Sequence, residues 1–297
     1  MTTQQTKAYA CAAAAIVFWA TVPTAFKLSL AQMDATVLVF YASATSLLAL
    51  SAVLFISGAF QDLSAWTARD VLRSIVLGFL NPFAYYQVLL RAYDLLPAQE
   101  AQPLNMIWPL VLVVFSVFML GQKLRGLTLL AMLISFSGVL VIATRGNLFD
   151  FQVSDPLGVS LAMGSAVIWA LYWTAGINDP RDPIARMFVN FAFGCSYMAL
   201  FLLARGGIPW PGNSAIGAAL YVGCFEMGFT FVLWLNALRL SETTAQVSNL
   251  VFLTPFLSLF FVHLVLGEAI LPSTIVGLVF IVAGIALQRT DERRIRD

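Results

Sequence analysis

Long apolar runs, separated by short polar or Pro- and Gly-containing links, recur along the whole chain. A helix needs about 20 apolar residues to cross the hydrocarbon core of a bilayer. Runs of that length predict ten segments: 8–30, 34–57, 71–91, 97–120, 125–144, 156–177, 184–205, 214–237, 242–266 and 271–289. These runs are too long for barrel strands and do not alternate with period two, so we expect ten transmembrane helices.

The composition indicates that the solvent around the chain is lipid. Hydrophobic residues occupy 60% of the 297 positions and charged residues only 10%, and the mean hydropathy is +0.87. Soluble domains carry about a quarter charged residues. The net charge of +1, with a basic run only near the C-terminus, excludes nucleic acid as a partner. One histidine and three dispersed cysteines predict no metal site and no cofactor.

Lysine and arginine are unevenly distributed between the two ends of the predicted spans. If the N-terminus is inside, only Lys27, Arg91, Arg145 and Arg205 of the 16 basic residues lie on the outer side. Cytoplasmic loops are enriched in both residue types. We therefore expect a multi-pass membrane protein whose N- and C-termini are both cytoplasmic.

The two halves of the chain share motifs in the same order. Pro109 and Pro255 are each followed twelve residues later by a Gly-Gln or Gly-Glu pair, and Gly138 and Gly284 keep the same offset of 146 residues. A Trp-Ala pair also recurs in the first and sixth segments. A collinear series of matches indicates a duplication.

Each half holds five predicted spans, an odd number, so the second half enters the membrane upside down. The predicted fold is an all-α membrane protein of ten transmembrane helices in two inverted five-helix repeats, 1–147 and 148–297, the second with a short cytoplasmic tail. Inverted repeats are typical of transporters, with the solute bound near the midplane. A receptor or assembly subunit is an alternative. An intramembrane enzyme would need paired carboxylates or a His/Asp set at one depth.

Glu226 is an ionisable residue near the middle of the eighth segment, and Asn81 is its approximate counterpart in the third. A charge at mid-membrane is costly, which makes such a residue a functional candidate. Two interpretations stay open. Glu226 either takes up a proton or pairs with a substrate ammonium group, or it is protonated and bonded to a neighbouring helix.

Amide side chains follow one another at helical spacing in two segments. Gln99, Gln102 and Asn105 lie three residues apart in the fourth segment, and Gln246 and Asn249 repeat the spacing in the ninth. That spacing places side chains on one helix face. Amides can bond both the ammonium and the carboxylate of a zwitterion, which favours cavity lining; bonding between helices is the alternative.

Aromatic side chains form the second set of candidate substrate contacts. Trp108 and Trp169 lie about ten residues into their segments, too deep for an interfacial belt. An aromatic wall at that depth suits an aromatic or large apolar solute, and packing is the alternative. The candidates are Trp19, Tyr85, Tyr86, Trp108, Trp169, Tyr172, Trp173 and Trp234.

Prolines interrupt the hydrogen-bond ladder inside several segments, because proline has no backbone N–H. Pro23, Pro82, Pro109 and Pro255 are therefore candidate hinges. Tolerated kinks are the alternative interpretation.

The Pro…Leu-Gly-Gln/Glu signature reads Pro109…Leu120-Gly121-Gln122 and Pro255…Leu266-Gly267-Glu268. Together with the Trp-Ala pairs, it resembles the drug/metabolite transporter superfamily in its ten-helix EamA-type branch, over essentially the whole chain. The run from Asn105 to Pro109 is similar to the bacterial inner-membrane aromatic amino-acid exporters of that branch. The resemblance implies export of aromatic or hydrophobic amino acids and related small amphiphiles; another metabolite or drug-like solute is the alternative.

The sequence has no Gly-x-x-x-x-Gly-Lys-Ser/Thr run, which excludes a nucleotide-binding loop of that kind and ATP drive within the chain. We therefore predict a secondary carrier with alternating access that is not an enzyme. Its predicted partners are a small-molecule substrate and membrane lipid. Proton coupling stays open, and a monomer suffices for the predicted chamber.

Overall fold

The computed structural model describes residues 3–120, 126–147, 154–176, 179–241 and 249–296. No strand occurs within these ranges. The helices are α1 (Thr3–Leu30), α2 (Ala35–Ser57), α3 (Ala68–Gly78), α4 (Tyr85–Leu95), α5 (Ala98–Asn105), α6 (Trp108–Leu120), α7 (Gly126–Ala143), α8 (Pro156–Gly176), α9 (Pro183–Ala204), α10 (Asn213–Phe225), α11 (Phe229–Leu240), α12 (Thr254–Leu266) and α13 (Pro272–Arg296). Short 3-10 helices cover Ala59–Ala65 and Asn249–Leu253, and a wide π turn covers Phe79–Ala84.

Each of the ten predicted spans has a helical counterpart, and within the described residues four of them are divided into separate helical pieces. The third span is α3 and α4, the fourth is α5 and α6, and the eighth is α10 and α11. In the ninth, the 3-10 helix Asn249–Leu253 precedes α12. The interrupted spans are the third and fourth of each predicted repeat.

Five helical stretches of the described residues are, by themselves, long and apolar enough to cross a membrane. They are Thr3–Leu30, Ala35–Ser57, Pro156–Gly176, Pro183–Ala204 and Ala215–Leu240. Shorter apolar helices cover Leu129–Ala143, Thr254–Leu266 and Pro272–Leu287.

Local sequence signals fix several helix ends. The Asp34 side chain accepts a hydrogen bond from the backbone N–H of Thr36 at the start of α2, and Gly58 ends that helix in the left-handed conformation, at φ 72°. Thr67 and Asp70 form a capping box at the start of α3. Side-chain acceptors at these positions satisfy N–H groups that the helix itself leaves unpaired.

The chain divides into two compact units, each discontinuous in sequence. Unit 1 comprises Met1–Gln87 and Asp179–Val265, and unit 2 comprises Val88–Asn178 and Leu266–Asp297. These are groupings in space, whereas the predicted repeats 1–147 and 148–297 are successive stretches of chain. The repeat boundaries therefore stay a prediction.

In unit 1, α2 packs against α9 and α10, while α1 packs against α10 and α11. Gly223 allows the closest approach between α10 and α2. A Cβ at this position would collide with the carbonyl oxygen of Ala42 and lie 2.6 Å from the Cβ of Thr45. Small residues permit this backbone proximity, which dispersion forces and hydrogen bonds stabilise in lipid.

In unit 2, α8 contacts α5 and α6, and α7 packs most extensively on α13. A Cβ at Gly277 would lie 2.6 Å from the carbonyl oxygen of Gly138, so these helices meet backbone to backbone. The Ser135 hydroxyl donates a hydrogen bond of 3.1 Å to the carbonyl of Ile281 across the same contact.

Candidate functional site

The third span is interrupted at Asn81 and Pro82. Pro82 has no N–H and its ring disfavours helical geometry at the preceding residue, and Asn81 is accordingly extended, with φ −144° and ψ 120°. Asn81 is buried, and its Oδ1 accepts no hydrogen bond from the part of the chain that the structure describes. A buried acceptor without a donor is costly, so Asn81 is a candidate for a bond to a solute or a water molecule.

The eighth span is interrupted over residues 226–228, directly after α10. Two hydroxyl groups satisfy carbonyls that the break frees: Thr230 donates to Phe225, and Ser46 donates to Met227 at 2.7 Å. Glu226 is half-buried at this break. The predicted mid-span carboxyl group thus lies where the helical ladder is open.

Tyr86 joins the third span to the eighth span in unit 1. Its hydroxyl donates a hydrogen bond of 2.9 Å to Oε1 of Glu226. The Tyr86 ring is fully buried, with the Tyr85 ring centroid 4.7 Å away and the Phe26 ring centroid 6.3 Å away. This bond leaves the second carboxyl oxygen of Glu226 for a proton, a cation or a further donor, so both interpretations of Glu226 stay open.

Aromatic rings also gather on α1 and α11. The Trp19 centroid lies 5.5 Å from that of Trp234 and 5.7 Å from that of Phe231. Both tryptophans are half-buried, so each keeps an accessible face. The sequence predicted Trp19 and Trp234 as candidates, and the structure brings them together.

A polar contact that sequence analysis missed lies between α1 and α10. The hydroxyl groups of Thr21 and Tyr221 are 2.5 Å apart, and Phe18 and Phe225 are in ring contact at 4.5 Å. The signal was present, because Thr21 follows Trp19 by two residues and Tyr221 precedes Glu226 by five.

In unit 2, Trp169, Tyr172 and Trp173 form one group on α8, here called the Trp169 cluster. Trp169 stacks on Tyr172 at 5.9 Å with 28° between the rings, and Trp173 meets Trp169 edge-on at 5.9 Å. The indole N–H of Trp173 is buried and donates to no described residue. The clustering on one helix face agrees with the helical spacing in the sequence.

The fourth span is interrupted at residues 106–107, between α5 and α6. Pro109 cannot donate to the carbonyl of Asn105, which ends the helical ladder there. Asn105 donates a hydrogen bond of 2.8 Å to the hydroxyl of Ser165 on α8. Gln102 and Trp108 are half-buried on either side of the break.

Gln99 does not share the surroundings of Gln102. Its amide group bonds to Ala269, Leu271 and Thr274, and its side chain is buried. Gln99 thus bonds one segment to another, and the interpretation of the amide stripe as cavity lining stays a prediction. A spacing of three residues predicts that two side chains share a helix face, but it does not predict which segment packs against each of them.

The remaining candidates differ in how far the structure describes them. Gln246 lies outside the described residues, and of Asn249 and Pro109 only the backbone is described. Pro23 lies within the continuous helix α1, and Pro255 is the second residue of α12. The hinge assignment of the prolines stays a prediction.

Outside the spans, unit 1 holds the fully buried carboxylate Asp179 among three arginines. Its Oδ2 lies 2.6 Å from Arg181, 3.4 Å from Arg73 and 3.6 Å from Arg186. Burial alone would raise the pKa of Asp179, but the hydrogen bonds and charge of Arg181 and the charge of Arg186 outweigh it. Together they lower the pKa to about 2.

Arg181 extends this group to the start of α3. It donates to the carbonyl of Asp70 at 2.7 Å and to the hydroxyl of Ser74 at 2.9 Å, and its guanidinium lies 4.6 Å from the Trp66 ring centroid. These contacts fix α3 to the link that precedes α9. Sequence analysis used these arginines only as orientation signals.

A cavity of about 430 Å³ lies in unit 2 between α6 and α7. It contains none of the predicted substrate contacts and lacks the polar groups that orient a solute. Its lining is Ile107, Leu110, Val111, Val114, Leu129, Met132, Leu133, Phe136 and Val139.

A helical membrane fold in which several spans are discontinuous is typical of membrane transporters. A family model described as the EamA-like transporter family matches residues 6–144 and 156–290, and the chain belongs to this family. The family assignment and the ten-helix membrane fold predicted from the sequence are therefore confirmed.

Three curated relatives are transporters by name. An uncharacterized transporter of Clostridium kluyveri is 28% identical, over 62% of this chain and 60% of its own length, less than two thirds of that protein. The aromatic amino acid exporter YddG of Ancylobacter novellus is 28% identical over 62% of this chain and 68% of its own. The uncharacterized inner membrane transporter YhbE of Escherichia coli is 23% identical over 82% of this chain and 76% of its own.

One solved crystal structure has the same fold. It matches 98% of this chain and 99% of its own, with a TM-score of 0.66 and 22% sequence identity. At that identity the match concerns the fold alone.

Proposed function

We propose that this protein exports aromatic and other hydrophobic amino acids, and related small amphiphiles, from the cytoplasm as a secondary, alternating-access carrier. The observation that carries the proposal is the Tyr86–Glu226 pair at the interrupted eighth span. Unit 1 also holds the Trp19–Trp234 pair. A carboxyl group and an aromatic wall match the ammonium group and the side chain of such a solute.

In unit 1, the ammonium group of the solute pairs with Glu226. The carboxyl oxygen that does not bond Tyr86 is the acceptor, and the half-buried faces of Trp19 and Trp234 take part of the apolar side chain. Unit 2, taken by itself, offers a second set of proposed solute contacts: Gln102, Asn105, Trp108 and the Trp169 cluster. Apart from the buried Trp169, these amides and aromatic rings are half-buried, which fits a zwitterion with a large apolar group.

Glu226 also carries a proton in this proposal. A carboxyl group that binds either a proton or an ammonium group couples the two by competition, because the solute leaves more readily when the group is protonated. We therefore propose export that is coupled to proton movement. The name of the Ancylobacter novellus relative supports the substrate class.

The experiment that tests this function is flux in proteoliposomes. Purified protein is reconstituted, and the initial rates for labelled phenylalanine, tryptophan, leucine, glycine and aspartate are measured with and without a pH gradient. We expect flux of the first three, accelerated by the gradient, and no chemical change of the solute. Protein-free vesicles are the control.

Two results would overturn the proposal. Flux of glycine or aspartate at the rate of phenylalanine would contradict the role of the aromatic faces. An organic cation carried in place of all five amino acids would favour the alternative, a carrier for another metabolite or drug-like solute.

We also propose the bacterial inner membrane as the location, both termini in the cytoplasm, and a monomer as the sufficient unit. Cysteines introduced at Thr3 and near the C-terminus test the orientation. Neither should react with an impermeant maleimide added to intact cells, and both should react after permeabilisation. Labelling of either one in intact cells would contradict the orientation.

A further inference from the structure

The helix α5 is short, from Ala98 to Asn105, and carries the proposed solute contacts Gln102 and Asn105. The first N–H groups of any helix lack partners within it. Pro97 precedes α5 and offers no side-chain acceptor. The N–H groups of Glu100 and Ala101 donate to the carbonyl of Pro97, so those of Ala98 and Gln99 are the ones that take partners from another segment.

Glu268 supplies them from a position 170 residues away in sequence. Its Oε1 accepts from the backbone N–H of Ala98 at 3.1 Å, and its Oε2 accepts from that of Gln99 at 3.3 Å. A carboxylate at this end of a helix also interacts favourably with the helix dipole. Glu268 thus caps a helix to which it does not belong.

The Gln99 side chain in turn forms hydrogen bonds with the segment that follows Glu268. Its Nε2 donates to the carbonyl of Ala269 at 2.8 Å, and its Oε1 accepts from the N–H of Leu271 at 2.9 Å and the hydroxyl of Thr274 at 3.2 Å. The start of α5 and the start of α13 are therefore bonded in both directions.

Glu100 attaches the same turn to a third part of unit 2. It accepts from Arg145 at 2.8 Å and from the Ser154 hydroxyl at 2.7 Å, and it is 1% exposed. The first turn of α5 remains attached through Gln99 and Glu100 when Glu268 is changed. The loss of Glu268 should therefore shift α5 without unfolding the protein.

We propose that Glu268 is a positioning residue for solute recognition, which holds α5 where Gln102 and Asn105 contact the solute. The proposal rests on the proposed function in its choice of those contacts. Glu268 itself does not touch the solute. It acts through the backbone N–H groups of Ala98 and Gln99.

Three substitutions separate the effect of the Glu268 charge from the effect of its side-chain length. Glu268→Gln keeps the length and one acceptor oxygen, Glu268→Asp keeps the charge but is one methylene shorter, and Glu268→Ala keeps neither. With a solute that the flux panel identifies, we expect KM to rise about tenfold in the Asp and Ala variants and about twofold in the Gln variant, with Vmax little changed. Asp94→Asn, in an exposed pair with Arg91, is the control and should leave KM unchanged.

A cross-linking assay tests the position of α5 without transport. In a background in which Cys11, Cys195 and Cys224 are alanine, Asn105→Cys is combined with Ser165→Cys, whose native side chains bond at 2.8 Å. Oxidant should form the disulfide several-fold more slowly with Glu268→Ala or Glu268→Asp than with Glu268 or Glu268→Gln. The thermal midpoint shows that each variant is folded.

Unchanged cross-linking and unchanged KM in Glu268→Ala would overturn the proposal, as would a Glu268→Asp variant that behaves like the wild type. If Glu268→Ala does not fold, the contrast between the Asp and Gln variants decides in its place. The failure of the proposed function is a separate result. In that case the wild type carries none of the amino acids, while the rate of cross-linking still depends on the side-chain length at residue 268.

Discussion

The interrupted eighth span of unit 1 and the interrupted fourth span of unit 2 differ in their chemistry. At the eighth, hydroxyl groups of Thr230 and Ser46 satisfy the freed carbonyls, and the ionisable Glu226 lies at the break. At the fourth, the polar contact is neutral, from Asn105 to Ser165. Both breaks open backbone groups that lipid cannot satisfy, but only the first adds a group whose charge can change. The eighth span is therefore suited to ion chemistry, and the fourth to neutral recognition.

The largest expected effect is that of Glu226→Gln. The amide keeps the size of the side chain and an acceptor for Tyr86 but cannot exchange a proton. We expect the rate of amino-acid flux to fall at least about tenfold and to lose its dependence on pH, measured as initial rates in proteoliposomes from pH 6 to pH 8.

Glu100→Gln is the matched control, because Glu100 is a buried glutamate of unit 2 that bonds Arg145 and Ser154 and is not a proposed solute contact. Its pH profile should keep the wild-type form. If Glu226→Gln and Glu100→Gln lost the pH dependence of transport equally, the proposal that proton chemistry belongs to the eighth span would be wrong.

Asp179→Asn should cause the largest loss of stability. Removing the buried carboxylate leaves the buried Arg181 without its counter-charge, at a cost of about 3–5 kcal/mol. Because the folded-state pKa of Asp179 is lowered to about 2, its contribution is complete above the unfolded pKa of about 4 and is lost as the pH falls toward 2.

The measurement is the thermal midpoint of the wild type and of Asp179→Asn in detergent, at pH 7 and near pH 3. We expect the difference between the two midpoints to be smaller near pH 3 than at pH 7. In unit 2, Glu100 pairs with the half-exposed Arg145, so Glu100→Gln should cost less, about 1–3 kcal/mol. A difference in thermal midpoint between the wild type and Asp179→Asn that increases toward low pH would contradict the lowered pKa of Asp179.

Gly223→Ala tests whether close helix contact supports the break at Glu226. The added methyl group collides with the carbonyl of Ala42, so we expect a loss of about 1–3 kcal/mol. Gly217→Ala, on the same helix with nothing within 4 Å of its added Cβ, should be neutral. Thermal midpoints that fall equally would show that the contact with α2 is unimportant.

The smallest effect is expected from single hydrogen bonds at the two breaks. Tyr86→Phe removes the donor to Glu226 and should shift the pH profile of transport, with a change in apparent affinity of about fivefold. Ser165→Ala removes the acceptor of Asn105 and should lower affinity to a similar degree without moving the profile. A shift of the pH profile in both Tyr86→Phe and Ser165→Ala would contradict the chemical difference between the two breaks.

The sequence was sufficient for the spans, because apolar length decides membrane crossing whatever the tertiary contacts. It was also sufficient for the Trp169 cluster, since three aromatic residues within five positions of one helix must lie near each other. Pro82 and Pro109 lie at the breaks of the third and fourth spans, but a proline is also compatible with a continuous transmembrane helix, so its presence did not decide between the two. The break at residues 226–228 contains no proline, and Gly228 is also compatible with a continuous helix.

Contacts between distant segments could not be predicted from spacing. The roles of Gln99 and Glu268 depend on the proximity of two segments about 170 residues apart, which neither periodicity nor composition encodes. Asp179 has no apolar pattern around it, and Arg73 joins Arg181 and Arg186 beside it because α3 and α9 are neighbours. Long-range polar pairing is therefore the part of the site that required the structure.

The glycine contact between α7 and α13 has a consequence for biogenesis. α7 ends at Ala143, whereas α13 begins at Pro272, so the ribosome completes α7 long before its principal partner exists. During that interval the face around Gly138 is covered by lipid or by the insertion machinery. Unit 2 can therefore assemble only after α13 has been synthesised, and nascent chains that stop before α13 should be substrates for membrane proteases.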